Sequence, residues 1–457
     1  MALFDPSDPR PVHFVGIGGA GMSALALIAR RRGVVVTGCD TDPTGAADLA
    51  VLGAQLHQGH DPAHVTSARA VVYTAAVSAD HPELARARSL GIPVVPRKVA
   101  LAELVSHGTV VGIAGTHGKT TTTVMTTEAL AAAGLSPTGL AGGRVGHWGG
   151  NARPGGDQLF VVEADEYDQA FLALNPSVAV VNNVEADHLE CYGSLAALEE
   201  AFAVFAGRAR QAFVSADDAG ARRLSERLGS SALRFGFAPD AAFRIHDARQ
   251  SPDLTTASVS VPGGKPVILR LRVPGLHNLR NATAALAVVH ALGGSLEPAL
   301  EALAEFRGVG RRFERLGEFG GVALVDDYAH HPSELAVTLE AARQAYPGRR
   351  LVAVFQPHLY SRTAAHGPAM GQALAAADLV FITEIYAARE QPMSGVSGVQ
   401  VADAARAAGA EVVFEPSRAG LGGRVRELLR PGDVVLTLGA GDITLLGREL
   451  AAWLKAA

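Results

Sequence analysis

The densest chemistry in the chain lies in Gly115 to Thr123, which read GTHGKTTTT. Lys119 brings a cation for β/γ-phosphate charge, Thr120 a hydroxyl for Mg²⁺, and the N–H groups of Gly115, Thr116, His117, Gly118 and Thr121 can wrap the phosphates. The usual spacing of such a loop is not met, because Ile113 stands where its first glycine would be. A threonine-rich helix cap is the plainer alternative. A second glycine pattern, Gly16, Gly18 and Gly21, lies between VHFV and a helical stretch, with Asp40 ending the next apolar run. Glycines there let a pyrophosphate approach the backbone at a helix amino terminus. A tight strand-helix turn without a ligand would carry the same letters.

Acidic and imidazole groups follow apolar runs. EADEYD, from Glu163 to Asp168, sets four carboxylates together, tolerable with cations or water close by. Glu163, nearest the preceding run, is the preferred Mg²⁺ ligand, and a solvated acidic loop is the alternative. His188, in NVEADH, is either a second metal ligand or a histidine bonded within the core. Asn278 and Asn281, in HNLRN, suit a helix cap or a base edge. DDYAHHP and FQPHLYSR concentrate Asp326, Asp327, Tyr328, His330 and Arg362. Arg362 can hold a carboxylate, and Tyr328 or His330 can orient an amine or phosphate.

The elements that must position these groups form an α/β pattern of strand-like runs alternating with Ala- and Leu-rich helical stretches. At roughly 150 residues per domain, 457 residues suggest three domains. Boundaries are placed at 1–106, 107–306 and 307–457. Arg234 to Val273 lacks a helical period and is expected to add antiparallel strands to the central sheet. In open parallel sheets ligands bind beyond the carboxyl ends of strands, where almost all of these motifs lie. A net charge of -5 gives no reason to expect a nucleic-acid partner. The amino-terminal residues do not read as a signal peptide, and no apolar run reaches about 18 residues. A cytoplasmic protein without membrane association is expected. Cys39 and Cys191 stand far apart and read as packing thiols.

In order, GIGGAGMS, GTHGKTTTT, EADE, NVEADH, HNLRN, RRFE, DDYAHHP, FQPH and GAGDI resemble the Mur ligases of peptidoglycan precursor synthesis over essentially the whole chain. The resemblance is nearest to the alanine-adding members. It implies a Rossmann-like UDP-sugar domain, a central P-loop-type ATPase domain and a carboxyl-terminal Rossmann-like domain that receives the amino acid. It further implies that ATP phosphorylates the lactyl carboxylate of UDP-N-acetylmuramate and that the L-alanine amine attacks the acyl phosphate. By motif position, Gly16, Gly18, Gly19, Gly21, Met22, Ser23, Asp40 and Asn151 would bind the nucleotide sugar. Lys119 and Thr120 would serve ATP and Mg²⁺, with Glu163 and His188 as metal ligands. Asn278, Arg312 and Asp327 would serve the nucleotide, and Tyr328, His330 and Arg362 the incoming amino acid. Lys119, Glu163, His188, His330 and Arg362 would form the catalytic set.

Two features of this chain bear on that pattern. Leu359 stands where alanine-adding members usually carry arginine. No lysine lies between Lys119 and Lys265, so the carbamylated lysine of the later-acting members is missing, as fits the first ligation. A ligase that joins a recycled murein tripeptide to the same nucleotide sugar is the nearest rival. A nicotinamide-dependent dehydrogenase would leave GTHGKTTTT and the acidic clusters unexplained, and a regulatory P-loop ATPase would form no bond.

Overall fold

The computed structural model describes residues 2–388 and 390–456. These fall into two compact units, one of residues 1–247, 257–269 and 280–305, the other of 248–256, 270–279 and 306–457. Each is α/β, and three sheets carry the fold. No helix among the described residues is long and apolar enough to cross a membrane.

The first sheet runs Gln55–Gln58, Val36–Asp40, Val12–Val15, Ala70–Tyr73, Val94–Pro96, with every neighbour parallel. Strand order reverses beside Val12–Val15, so the Gly16 loop opens at the switch point where doubly wound sheets take ligands. VHFV is wholly buried, as expected of a strand covered on both faces. The helix Ala20–Arg31 leaves the loop and ends on Arg30 and Arg31, which suit the negative end of its dipole. Gly33 then stops it at φ +88°, a conformation that a side chain resists.

The second sheet has ten strands. Thr109–Ala114 lies at its middle, parallel to Val178–Val181 on one side and Leu159–Glu163 on the other. These three strands deliver GTHGKTTTT, NVEADH and EADEYD to one end of the sheet. The helix Lys119–Ala132 is rich in β-branched threonine, which favours helices poorly. Burial overrides that preference: Thr122, Thr123, Thr126 and Thr127 are fully enclosed, and the Thr127 hydroxyl donates to the Thr123 carbonyl at 2.7 Å. Added strands are present as Ala232–Gly236, Phe243–Gln250, Thr255–Val259 and Val267–Leu271, but against the antiparallel expectation Ala232–Gly236 runs parallel both to Gln211–Ser215 and to Phe243–Gln250. A hairpin turn joins the second of these to the third, where the Ser251 N–H donates to the Leu254 carbonyl. At the opposite edge Gly150–Arg153 pairs antiparallel with Thr138–Val145, a pairing not expected from sequence.

The third sheet runs Glu314–Phe319, Val322–Asp327, Val434–Leu438, Leu351–Phe355, Leu379–Ile382, Val412–Phe414. Its first pair is antiparallel and the rest are parallel. Asp327, Leu438 and Phe355 lie in register across the three central strands, so DDYAHHP, GAGDI and FQPH leave the sheet side by side.

Candidate active site

Lys119 opens its helix from Gly118, which sits at φ +79°, and Gly115 bends the chain at φ +132°. A Cβ at Gly115 would come within 3.0 Å of Asn182, and one at Gly118 within 3.0 Å of the Asn281 amide oxygen. Both glycines are needed for conformation and for space. Asn183 braces the loop from the neighbouring strand: its side-chain oxygen accepts from the His117 N–H at 2.7 Å, and its carbonyl accepts from Thr116 at 3.2 Å. The Thr116 hydroxyl in turn accepts from the Glu185 N–H at 2.9 Å. Asn182 donates to the Thr122 hydroxyl at 3.0 Å. Neither asparagine was singled out from sequence, since nothing in NNVEADH separates a brace from a ligand.

The Lys119 ammonium lies 2.8 and 2.7 Å from the two Glu166 oxygens and 2.7 Å from the Gly115 carbonyl. Burial works against its charge, but Glu166, with Asp165 and Glu163, holds its pKa above the ordinary lysine value. Burial raises that of Glu166, against the pull of Lys119. The four carboxylates of EADEYD are thus separated by partners. Glu163 accepts from the Thr120 hydroxyl at 3.0 Å and from the Gly142 N–H. Asp165 accepts from the Tyr167 N–H at 3.2 Å, and Asp168 takes Lys98 at 3.0 Å. Asp168 and Gln169 hold φ +53°, a strained pair where the acidic run turns away. Thr120 and Glu163 bring hard oxygen donors together, a set suited to Mg²⁺. His188 sits at φ +53° with Nδ1 3.4 Å from Glu190 and its ring edge-on to Tyr167.

At the first sheet, the Gly18 N–H donates to Asp40 at 2.9 Å, and the Asp42 N–H reaches the other Asp40 oxygen at 3.1 Å. Asp40 therefore shapes the loop from within. Gly16 and Ile17 hang from the Cys39 carbonyl at 2.8 and 3.1 Å, while Met22 and Ser23 donate to the Gly19 carbonyl as the helix begins. A Cβ at Gly21 would meet the Arg97 guanidinium at 2.8 Å. Asn151 donates to the Ser23 hydroxyl at 2.9 Å and the Ala20 carbonyl at 3.1 Å, while its own buried oxygen has no hydrogen-bond partner.

In the second unit Tyr328 is flanked by two guanidinium groups, Arg311 at 4.7 Å and Arg312 at 5.0 Å from its ring centroid. His330 packs edge-on to Tyr328 and binds its carbonyl at 2.8 Å through Nδ1. Asp327 accepts from the Phe313 and Ala329 N–H groups at 2.7 and 2.8 Å, and burial pushes its carboxyl up to about 6. Arg362 is buried with Nη1 3.2 Å from His358, whose ring stacks on Tyr386. Gln356 ties FQPH to GAGDI, donating to Asp442 at 2.8 Å and accepting from Ile443 at 3.1 Å. Leu359 is buried at φ +70°, so its side chain fills space rather than reaching a ligand. Asn278, the third residue of the helix Leu276–Ala291, donates its side-chain amide to the Pro274 carbonyl at 2.7 Å, which is not an N-cap, since a cap accepts from a backbone N–H.

Three family models match the chain: the Mur ligase family catalytic domain over residues 11–109, the Mur ligase middle domain over 113–289, and the Mur ligase glutamate ligase domain over 311–441. A UDP-N-acetylmuramate–L-alanine ligase of Mycolicibacterium vanbaalenii is 45% identical, covering 99% of this chain and 98% of its own. One from Thermobifida fusca is 43% identical, covering 98% and 99%. The crystal structure of a UDP-N-acetylmuramate–alanine ligase from Thermotoga maritima superposes with a TM-score of 0.84 at 31% identity, over 98% of this chain and 99% of that one. With a phosphate loop, an acidic cluster and a glycine turn at the expected strand ends, and with family matches along its length, the chain belongs to the Mur ligase family.

Proposed function

We propose that this protein joins L-alanine to the lactyl carboxylate of UDP-N-acetylmuramate at the expense of ATP. The observation that carries the reading is end-to-end likeness to alanine-adding ligases, 43–45% identical over nearly the full length of both chains. Domain roles follow the placement of the motifs: 1–106 for the nucleotide sugar, 107–306 for ATP, 307–457 for the amino acid.

A carboxylate is a poor acyl donor because oxide is a poor leaving group. Transfer of the ATP γ-phosphoryl group to a carboxylate oxygen releases ADP and creates an acyl phosphate. The alanine nitrogen then attacks the carbonyl carbon, loses a proton, and expels phosphate as the amide forms. Lys119, with the loop N–H groups of Gly115 to Gly118, would hold the transferring phosphoryl charge. Thr120 and Glu163 would hold Mg²⁺, with His188 as the third ligand. The metal would offset charge on the phosphates. Gly16, Gly18, Gly19 and Gly21, with Met22, Ser23 and Asn151, would hold the nucleotide sugar, and Asp40 would preset that loop. Arg362 would meet the alanine carboxylate, with Tyr328 and His330 beside the amine. The roles of Asn278, Arg312 and Asp327 toward the nucleotide rest on motif position.

The test is ADP release by the purified protein with ATP and Mg²⁺, each other substrate being present or omitted. Turnover needing both UDP-N-acetylmuramate and L-alanine is expected. Turnover with the tripeptide in place of alanine would make this the recycling enzyme, and turnover without the sugar would reduce it to an ATPase.

A further inference from the structure

Beneath the glycine loop, the first sheet buries a group of side chains that the ligation does not use. Glu83 lies in the first turn of the helix Pro82–Ser89 and is completely enclosed. Its carboxylate lies 2.8 Å from His64 Nδ1, 3.0 Å from Cys39 Sγ, 3.3 Å from His60 Nδ1 and 4.0 Å from His13 Nε2. His13 comes from Val12–Val15, Cys39 from the adjacent Val36–Asp40, and His64 from the turn Pro62–Val65. One ligand atom from each of His13, Cys39, His64 and Glu83 lies within 4.8 Å of every other. His13 supplies the independent sign of a ligand. Its ring is fully buried, Nδ1 is fixed at 2.8 Å from the Thr37 hydroxyl, and Nε2, which faces the cluster, makes no hydrogen bond. An imidazole oriented through one nitrogen with the other directed at a thiol and a carboxylate is the arrangement found at metal ligands.

We propose that His13, Cys39, His64 and Glu83 form a structural site for a divalent cation of the zinc class. Two imidazole nitrogens, a thiolate sulfur and a carboxylate oxygen form a four-ligand set with the chemistry zinc takes in closed sites. Hard cations such as Mg²⁺ and Ca²⁺ select oxygen donors and are poorly matched to it. The cation would displace the Cys39 thiol proton, which now points to Glu83 Oε2. It would clamp two strands, a turn and a helix. Because the Cys39 carbonyl carries the Gly16 and Ile17 N–H groups, the clamp would also stiffen the glycine loop.

The full-length protein, stripped with chelator, is titrated with Co²⁺ and then Zn²⁺. Expected are one cobalt per chain with a sulfur-to-cobalt charge-transfer band and strong tetrahedral visible bands, their loss on adding zinc, and a rise in Tm with zinc. The chain has two cysteines, so Cys39→Ser should abolish the charge-transfer band while Cys191→Ser keeps it. Should Cys39→Ser fail to fold, His64→Ala gives the second reading through a weakened cobalt affinity, and the wild-type spectrum needs no variant. Absence of the band in the wild type, or a band that follows Cys191, would overturn the site and leave a hydrogen-bonded histidine cluster.

Discussion

Lys119 illustrates why one residue must be judged with its partner. Its ammonium and the Glu166 carboxylate form a buried pair, and removal of one member leaves an uncompensated charge that costs roughly 3–5 kcal/mol. Lys119→Ala should therefore lose ligation, retain near-normal UDP-sugar affinity by calorimetry, and unfold at lower temperature. Adding Glu166→Gln should restore much of the stability and none of the turnover; ligation at close to the normal rate in either variant would refute the ATP-site assignment. Asp327 makes the opposite electrostatic case. Burial raises its carboxyl to about 6, above an unfolded value near 4, so the folded state keeps a proton that the unfolded chain has lost. This contribution lowers stability as pH rises from about 4 to about 6, by roughly 2–3 kcal/mol in all. Denaturant unfolding of Asp327→Asn and wild type should show the difference shifting in favour of the variant across that window and levelling above it. Arg362→Ala should raise the KM for alanine at least tenfold with little change in the KM for UDP-sugar.

Among the elements, the loop at the end of Val12–Val15 shows how far sequence can be read. The glycine spacing and the following helix were legible because both obey local rules. The role of Asp40 was not, since only the fold brings its carboxylate to the Gly18 N–H. Gly18→Ala would place Cβ 2.5 Å from the Asp42 carbonyl, so the loop must shift. The expected result is a KM for UDP-sugar raised at least tenfold and a KM for ATP changed less than threefold. The threonine-rich helix was legible because a phosphate loop demands one there, against its propensity. Three edge strands were missed for physical reasons: QLHQ and GNAR are four residues long with one apolar residue each, and ERLGEF carries three charged residues in six. The partners of the EADEYD carboxylates were likewise invisible, because Lys98 and Lys119 reach them through tertiary packing.

At the scale of the whole molecule, alternation of strand and helix disclosed the α/β class, and the order of motifs disclosed the family. What the pattern did not disclose was packing. Residues 248–256 and 270–279 belong to the central strands and helix by sequence yet pack with 306–457, where Gln344 meets Gln250 at 2.6 Å, Thr255 at 3.1 Å and the Gly275 N–H at 3.1 Å. A fragment of residues 307–457 lacks these partners and should melt below the full chain in calorimetry. The account as a whole stands on activation of a carboxylate by phosphoryl transfer followed by capture by alanine. UDP-N-acetylmuramate labelled with ¹⁸O in the lactyl carboxylate, incubated with the protein, ATP, Mg²⁺ and L-alanine, tests this directly by mass spectrometry. The expected result is the alanyl amide together with inorganic phosphate carrying one ¹⁸O atom; an unlabelled phosphate, or ADP formed without the amide, would contradict it.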